Sequence, residues 1–358
     1  MSARPRLSVD LDALAWNYRR LAAEAPGAEI AAVVKADGYG LGLAPVARTL
    51  FAAGARRFFV ADVEEARAVA ELLPEAFVYV LSGYAVSARD AFRGSRLRPV
   101  LNTPAQVRAF AGLDRAERPP AALQVDSGMT RLGLPLAAID ALRPELGRLE
   151  LDFLVSHLAC ADDPDPAFSR AQRARFEAAR RLVPHLPASL ANSAGVFLGP
   201  DFHYDLCRPG IAVYGGNPTP GRVNPMAPVV ELDAELLQVY ALEAEARVGY
   251  GATYRAPAGA RIATAALGYA DGVLRCTGNR ATARLAGVEV PVAGRVSMDL
   301  LGLDVTAVST TAAVEGARVE LIWGPDGVDR LAAAAETIPY EVLVRLGARV
   351  ERRYRGGE

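Results

Sequence analysis

The chain has 358 residues, of which 51% are hydrophobic, and its formal net charge is −1. At about 150 residues per domain this length predicts two or three domains, with ample apolar material for a core. The balanced charge gives no sign of a nucleic-acid or anionic-membrane partner. Because the chain starts without an apolar h-region and holds no apolar run of ~20 residues, we expect a cytoplasmic protein without membrane spans.

The three cysteines are Cys160, Cys207 and Cys276, which are widely spaced and form no C-x-x-C pair. They predict neither a disulfide framework nor a zinc site. An acidic loop at 162–165 precedes a helical pattern, and favourable charge at a helix N-terminus explains it. We therefore expect no metal.

The first part of the chain alternates strand, polar or Gly-rich turn, and helix. Helices are predicted at 12–25, 43–53 and 166–183. Strands are predicted at 30–34, 57–61, 77–81, 97–101, 121–125, 151–156 and 188–191, with a weaker one at 205–207 or 211–214. Eight strands that alternate with helices favour a (β/α)₈ barrel of the TIM type over a doubly wound sheet.

The composition changes after Gly215. Residues 217–222 are rich in Pro and Gly and are typical of a linker. Period-2 segments then predict strands at 229–235, 237–244, 261–266, 288–292 and 318–323, interrupted by helices near 327–337 and 339–347. We therefore predict a barrel domain at 1–224 and a mostly β domain at 225–358.

Lys35 is the most informative residue of the chain. It ends the apolar run 30–34, which is typical of a buried parallel strand, and the Gly-rich turn 36–40 follows it. A lysine at a strand end has a flexible stem and an amine whose pKa falls on desolvation, as Schiff-base chemistry requires. A lone lysine is more often a snorkelling surface residue, so the hypothesis depends on other polar groups at the same face.

Further polar residues follow the predicted strands, and in a barrel these strand ends meet on one rim. They are Arg131, His157, Asn192, Ser193 and Arg208. Each has an ordinary structural explanation by itself, such as a helix cap or a satisfied core histidine. Chance does not explain well why all of these residues and Lys35 follow predicted strands at the same rim.

A phosphate site is predicted in the last two loops of the barrel. Barrels often bind phosphate there with backbone N–H groups at a short helix. Ser193, Gly210 and Ile211 lie in these loops, and Tyr39 offers a hydroxyl. A phosphate site beside a Schiff-base lysine indicates pyridoxal 5′-phosphate (PLP).

The chain resembles the alanine racemases through motifs in family order over nearly its whole length. The motifs are 32–40, 125–133, 191–195, 208–211, 268–272, 294–299 and 339–341. The resemblance implies a homodimer that interconverts L-alanine and D-alanine, with Lys35 as the PLP lysine and one base. Tyr269, from the other subunit, would be the opposite base.

The remaining roles are also implied by the resemblance. Arg208 would face the pyridine nitrogen, with His157 between it and Tyr269, and positive charge there would favour the phenolate. Arg131 would contact the cofactor and the substrate carboxylate, and Met298 of the partner would line the substrate pocket. The predicted phosphate-binding residues are Tyr39, Ser193, Gly210, Ile211 and Tyr340, with Asn192 also at the cofactor.

The sequence departs from the family pattern at Gln124, where many relatives carry a lysine modified to a carbamate that orients the neighbouring arginine. Gln124 cannot be carbamylated. We expect its carbonyl, or a small anion such as chloride, to support Arg131 instead.

Three alternatives stay open at this point. A PLP decarboxylase of basic amino acids shares the architecture, but its Gly-rich phosphate loop and C-terminal cysteine motif are not apparent. A non-catalytic PLP protein would consist of the barrel alone. A racemase of serine or of broader specificity is the alternative that the sequence excludes least well. The family role is D-alanine supply for peptidoglycan or alanine catabolism, and the sequence does not choose between them.

Overall fold

The computed structural model describes residues 4–357, which form two compact units. One unit comprises residues 14–213 with 218–225. The other comprises residues up to 13, residues 214–217 and residues from 226 onwards. The sequence analysis did not foresee that the first residues belong with the C-terminal part of the chain. The domain limits given there remain a prediction.

The first unit is built on parallel strands. They are Glu29–Ile30, Ala32–Val33, Arg57–Val60, Phe77–Val80, Leu97–Leu101, Ala121–Gln124, Leu151–Val155, Ala188–Ser189 and Leu206–Cys207. The strands from Ala32–Val33 to Ala188–Ser189 form one sheet in sequence order, and Leu206–Cys207 pairs with Glu29–Ile30. The predicted barrel is confirmed.

Helices follow most of these strands. They are Leu11–Glu24, Leu43–Ala52, Val63–Leu72, Arg89–Phe92, Pro104–Ala111, Leu136–Ala141, Arg143–Leu146, Ala167–Leu182 and Ser193–Val196. The longest, Ala167–Leu182, buries Phe176 and Ala179 of the apolar pattern that predicts it, while its other buried residues are the polar Ser169 and Gln172, and Phe168 is exposed.

Closure of the barrel explains two differences from the predicted strands. The run 30–34 is not one strand, because its first residues pair with Leu206–Cys207 while Ala32–Val33 pair with Phe58 and Phe59. The eighth strand therefore lies at 206–207, and the alternative at 211–214 is wrong, since those residues form a turn.

The second unit is mostly β-structure, as predicted. Its strands are Arg6–Asp10, Val230–Ala241, Ala246–Val248, Tyr254–Ala256, Arg261–Ala265, Thr282–Leu285, Val288–Pro291, Leu301–Asp304, Arg318–Ile322 and Glu351–Arg355, and its helices are Gly327–Ala334 and Pro339–Val344. The predicted strands 229–235 and 237–244 are one strand with an irregularity between Leu236 and Gln238, which bends it without ending it.

None of the helices formed by residues 4–357 combines the length and the apolar character that a membrane span requires. Within the same residues, no three His, Cys, Asp or Glu side chains are grouped so that they would hold a metal ion.

Candidate functional site

Lys35 begins a left-handed helical turn at the end of the first barrel strand. Ala36, Asp37 and Tyr39 have φ angles of 54°, 53° and 57°. Left-handed helical backbone costs an L-residue roughly 1–2 kcal/mol, so these three residues store roughly 3–6 kcal/mol of strain. The turn persists because neighbouring groups over-determine it, for example the Asp37 carboxylate, which accepts the Leu43 N–H at 2.7 Å.

The Lys35 amine lies in partly buried, mainly cationic surroundings. Burial lowers its pKa, and the charge of Arg131 lowers it further, while Glu65 opposes both. A lowered pKa gives a larger fraction of neutral amine, which is the form that acts as a nucleophile or a base. The strand-end position thus has the chemical consequence predicted from the sequence.

Arg208 is buried at the same rim, where it contacts three groups. Its guanidinium donates to Ser189 Oγ, to the Ser156 carbonyl at 2.5 Å and towards His157 Nδ1 at 3.5 Å. It also lies 5.9 Å from the centre of the Phe59 ring. Burial lowers the pKa of Arg208 to about 10, so it stays charged at neutral pH. The Arg208 guanidinium is therefore a fixed positive charge that donates hydrogen bonds and accepts none.

His157 follows the Leu151–Val155 strand and stays neutral. Burial, then the charges of Arg208, Arg131 and Lys35, lower its pKa to about 3. Because Arg208 has no acceptor, Nδ1 of His157 must be the acceptor, which assigns the proton to Nε2. Gln172 fixes the backbone here by donating to the His157 carbonyl at 3.0 Å.

Tyr39, Ser193 and Gly210 form one close cluster. Ser193 Oγ accepts the N–H groups of Gly210 and Ala212 at 2.9 and 3.2 Å. A Cβ atom at Gly210 would lie 2.1 Å from Tyr39 Oη, so any side chain at this position would displace the Tyr39 hydroxyl. The Gly210 and Ala212 N–H groups thus fix the Ser193 hydroxyl next to that of Tyr39, and two adjacent hydroxyls can donate to a phosphate.

Asn192 and Ile211 complete the predicted cofactor set on the barrel. Asn192 caps the short helix Ser193–Val196, since its Oδ1 accepts the Gly195 N–H at 3.0 Å. Its amide also donates to the Leu158 carbonyl at 3.2 Å, which joins this loop to the His157 loop. Ile211 is buried directly after Gly210. Both positions therefore have clear structural roles.

The expected hydrogen bond between the Gln124 carbonyl and Arg131 is not formed, and the alternative support of Arg131 by a small anion stays a prediction. Gln124 is buried, and its amide donates to the Leu132 carbonyl at 3.1 Å. Arg131 is exposed, and it acts on Lys35 and His157 through its charge. Gln124 thus shapes the loop next to Arg131 rather than binding its guanidinium.

Tyr269 lies in the C-terminal unit on the short 3₁₀ turn Tyr269–Asp271, with 42% of its surface exposed. Backbone bonds fix this turn against the Met298 loop, because Tyr269 N donates to Ser297 O at 3.0 Å and Ala270 N donates to Met298 O at 2.9 Å. Met298 is itself 54% exposed. Tyr269 and Met298 are thus held together on the surface of their unit.

An ion-pair network supports this turn from behind. The buried Asp271 accepts the Gly268 N–H at 2.8 Å and pairs with Arg349 Nε at 3.0 Å. Arg349 also pairs with Asp299 at 2.6 Å, in the Met298 loop. Tyr340 lies on the separate helix Pro339–Val344 and is partly buried, and its phosphate role remains a prediction.

Comparison with known proteins shows the family. Residues 9–218 match the family model of the alanine racemase N-terminal domain, and residues 229–354 match that of the C-terminal domain. The chain belongs to the alanine racemase family. Its members are isomerases, so this finding decides against the decarboxylase and the non-catalytic barrel protein.

Individual alanine racemases are similar over the full length. A relative from Rhodospirillum rubrum is 52% identical, with 98% of this chain and 96% of the relative covered. A catabolic alanine racemase of Mesorhizobium japonicum is 44% identical over 98% and 93%. The crystal structure of the Bartonella henselae enzyme with covalently bound pyridoxal phosphate superimposes with a TM-score of 0.93, at 34% identity, and covers 99% and 100% of the two chains.

Sequence reasoning missed three residues that support the candidate site. Ser156 accepts from Arg208 through its backbone carbonyl and Ser189 through its hydroxyl, and neither position carries a distinctive signal in the sequence. Glu65 accepts the Ala36 N–H directly after Lys35. It lies three residues after Asp62, a capping-box spacing that was visible in the sequence.

Proposed function

We propose that this alanine racemase uses PLP to interconvert L-alanine and D-alanine with two bases, Lys35 and Tyr269 of a second copy of the chain. The observation that carries the proposal is the Lys35 amine, whose pKa is lowered by burial and by Arg131. It lies in the same barrel unit as the Arg208–His157 pair. The bound pyridoxal phosphate of the Bartonella henselae relative supports the cofactor.

The residues of the barrel unit fit PLP at each of its functional groups. The cluster of Tyr39, Ser193 and Gly210 offers two adjacent hydroxyls as donors for the phosphate. Arg208 offers only donors and therefore suits an unprotonated pyridine nitrogen. Lys35 would provide the amine for the aldehyde group of the cofactor. When bound, PLP disperses the negative charge that proton removal leaves on the alanine α-carbon.

The two bases would work from opposite faces of the α-carbon. Racemisation removes one α-proton and returns a proton to the other side, so one residue accepts while the other donates. In one direction Tyr269 Oη takes the proton of L-alanine and the Lys35 ammonium supplies the proton of D-alanine. In the reverse direction the roles exchange, and one full cycle leaves the net protonation unchanged.

His157 would link Arg208 to Tyr269. Since its Nδ1 faces the Arg208 guanidinium, its Nε2–H is the donor left for the tyrosine oxygen. A hydrogen bond to the charged form of an acid stabilises that form. We therefore assign His157 a positioning role that favours the tyrosinate, and assign Arg131 to the substrate carboxylate.

The exposure of Tyr269 and Met298 supports a site shared between two subunits. Tyr269 is 42% and Met298 54% exposed in the single chain, and backbone hydrogen bonds hold their two loops together. A cluster of exposed apolar residues is typical of an interaction surface. A homodimer would bury this surface and bring Tyr269 and Met298 to the partner's barrel.

Proton NMR of the purified protein with L-alanine in deuterated water, combined with a chiral assay, tests the proposal. We expect the α-proton signal to disappear while D-alanine accumulates. Loss of the α-proton signal without formation of D-alanine would contradict the assignment of Tyr269 as the second base. Absence of exchange in the PLP-loaded protein would overturn alanine as the substrate, and serine would then be tested in the same way.

The relatives carry both possible physiological roles in their names. One relative is a catabolic alanine racemase, and one similar solved structure is that of the biosynthetic alanine racemase from Pseudomonas aeruginosa. That structure is 36% identical with a TM-score of 0.90, and the match covers 99% of this chain and 100% of that chain. We propose D-alanine supply for peptidoglycan. Growth of a D-alanine-requiring bacterium that expresses this chain would support it, and failure to grow despite activity in extracts would favour catabolism.

A further inference from the structure

The left-handed turn after Lys35 is held from outside by one carboxylate. Glu65 Oε1 accepts the Ala36 N–H at 2.6 Å, and its Oε2 accepts the Ala61 N–H at 2.8 Å. Ala36 is the first residue of the turn with positive φ. Glu65 therefore joins the peptide that follows Lys35 to the end of the next barrel strand.

This contact differs from an ordinary capping box. In that motif the glutamate at the third helical position reaches back to the N–H of the N-cap residue. Here Asp62 is the N-cap and accepts the Glu65 N–H at 3.0 Å, as the motif requires. The Glu65 carboxylate, however, binds Ala61 and the distant Ala36. Helix capping alone does not explain the second contact.

Glu65 also contributes the negative charge that acts on Lys35. Arg131 faces the amine as a cation and His157 as a neutral imidazole, and both burial and Arg131 lower the pKa of Lys35. Glu65 raises it. One side chain thus influences both the direction and the protonation of the lysine.

We propose that Glu65 is a positioning residue for Lys35, which fixes the strained turn through the Ala36 N–H and brings a negative charge to the amine. The inference deepens the proposed function, because it concerns the base that this function assigns to Lys35. Glu65 does not touch the reacting atoms.

Three variants of the PLP-loaded protein separate the contributions. Glu65→Gln keeps the size but loses the charge, and its amide cannot accept both N–H groups. Glu65→Asp keeps the charge but is too short to span both. Glu64→Gln is the matched control, because Glu64 is the neighbouring residue with an 81% exposed side chain that pairs only with Arg67 at 3.4 Å.

The measurements are hydrogen exchange of the 36–40 amides, the pH dependence of Lys35 labelling by an amine-reactive reagent after PLP removal, and kcat with KM. For Glu65→Gln we expect at least about tenfold faster exchange, a labelling midpoint at lower pH, and a kcat reduced on the order of tenfold to hundredfold with little change in KM. Glu65→Asp should speed exchange without lowering the midpoint. Glu64→Gln should match the wild type.

Two results would overturn the inference. One is exchange in Glu65→Gln that equals that of Glu64→Gln, and the other is an unchanged labelling midpoint. Neither amide hydrogen exchange nor the labelling of Lys35 requires that the protein racemises alanine. If the wild type failed to racemise alanine while Glu65→Gln still loosened the turn and shifted the midpoint, the proposed function would fail and the role of Glu65 would stand.

Discussion

Acidification is expected to destabilise the folded chain through His157. Its pKa is lowered to about 3 in the folded state, chiefly by burial and then by Arg208, while the ordinary value is 6.5. Between pH 6.5 and about 3, His157 therefore binds a proton in the unfolded chain but not in the folded chain. The stability contributed by neutral His157 is complete above pH 6.5 and is lost as the pH falls from about 6.5 to about 3.

The size of the effect follows from the same two values. A difference between 6.5 and about 3 corresponds to roughly 5 kcal/mol, or about 1.4 kcal/mol for each pH unit in this window. His157 retains some exposure in the single chain, and solvent screening makes this an upper limit. A loss of this size is a large part of the 5–15 kcal/mol typical of folded domains.

Urea unfolding at several pH values between about 7 and 4 measures this dependence. In His157→Asn the amide oxygen can still accept from Arg208, but the titratable group is gone, so the free energy of unfolding should fall less steeply with acidification. His185→Asn is the control, because His185 is exposed. Equal slopes for wild type and His157→Asn would refute the reasoning.

The remaining predictions concern the shared site and its supports. A mixture of the Lys35→Ala and Tyr269→Phe variants should recover activity when subunits exchange. About half of the dimers are then mixed, and each mixed dimer has one intact site of two, so we expect about a quarter of wild-type activity. Gly210→Ala should weaken PLP binding about tenfold to hundredfold, since its Cβ would meet Tyr39 Oη at 2.1 Å and overpacking costs about 1–3 kcal/mol. Arg349→Met should lower kcat on the order of tenfold, because it frees the turn that carries Tyr269.

Each of these predictions has a direct check. Either variant of the mixed pair should be nearly inactive alone, and a mixture that stays inactive despite proven exchange contradicts a shared site. PLP titration followed by absorbance measures the Gly210→Ala effect, and wild-type affinity would contradict the close contact. Arg353→Met is the control for Arg349→Met, because Arg353 pairs only within its own strand with Glu351, and equal kcat in both would contradict the support of Tyr269.

Sequence reasoning located the barrel well because parallel strands buried on both faces are short apolar runs, and each run ends at a turn. It failed where pairing rather than local pattern decides the structure. The run 30–34 is divided because its two parts have different partners, and Val230–Ala241 continues as one strand across its irregularity. The strand Arg6–Asp10 was missed because it pairs with residues more than two hundred positions away.

The candidate site was predictable where residue type carries the chemistry. Lys35, His157 and Arg208 stand at strand ends, and the structure joins all three through charge or hydrogen bonds. The conformation after Lys35 was not predictable, because Ala36 and Tyr39 have no intrinsic preference for positive φ. Local hydrogen bonds such as Asp37 to Leu43 and the contact from the distant Glu65 together hold them there.

The charges around Lys35 also indicate what the site is built to receive. Lys35, Arg131 and Arg208 act together on His157, and each lowers its pKa, so the local potential is positive. Such a potential favours anions, and both the phosphate of PLP and the carboxylate of alanine are anionic. Glu65 is the acidic residue that acts on Lys35, and it lies on the side of the strained turn, bound to Ala36. Its charge therefore restrains the loss of the Lys35 proton while its two hydrogen bonds to backbone N–H groups keep it in place.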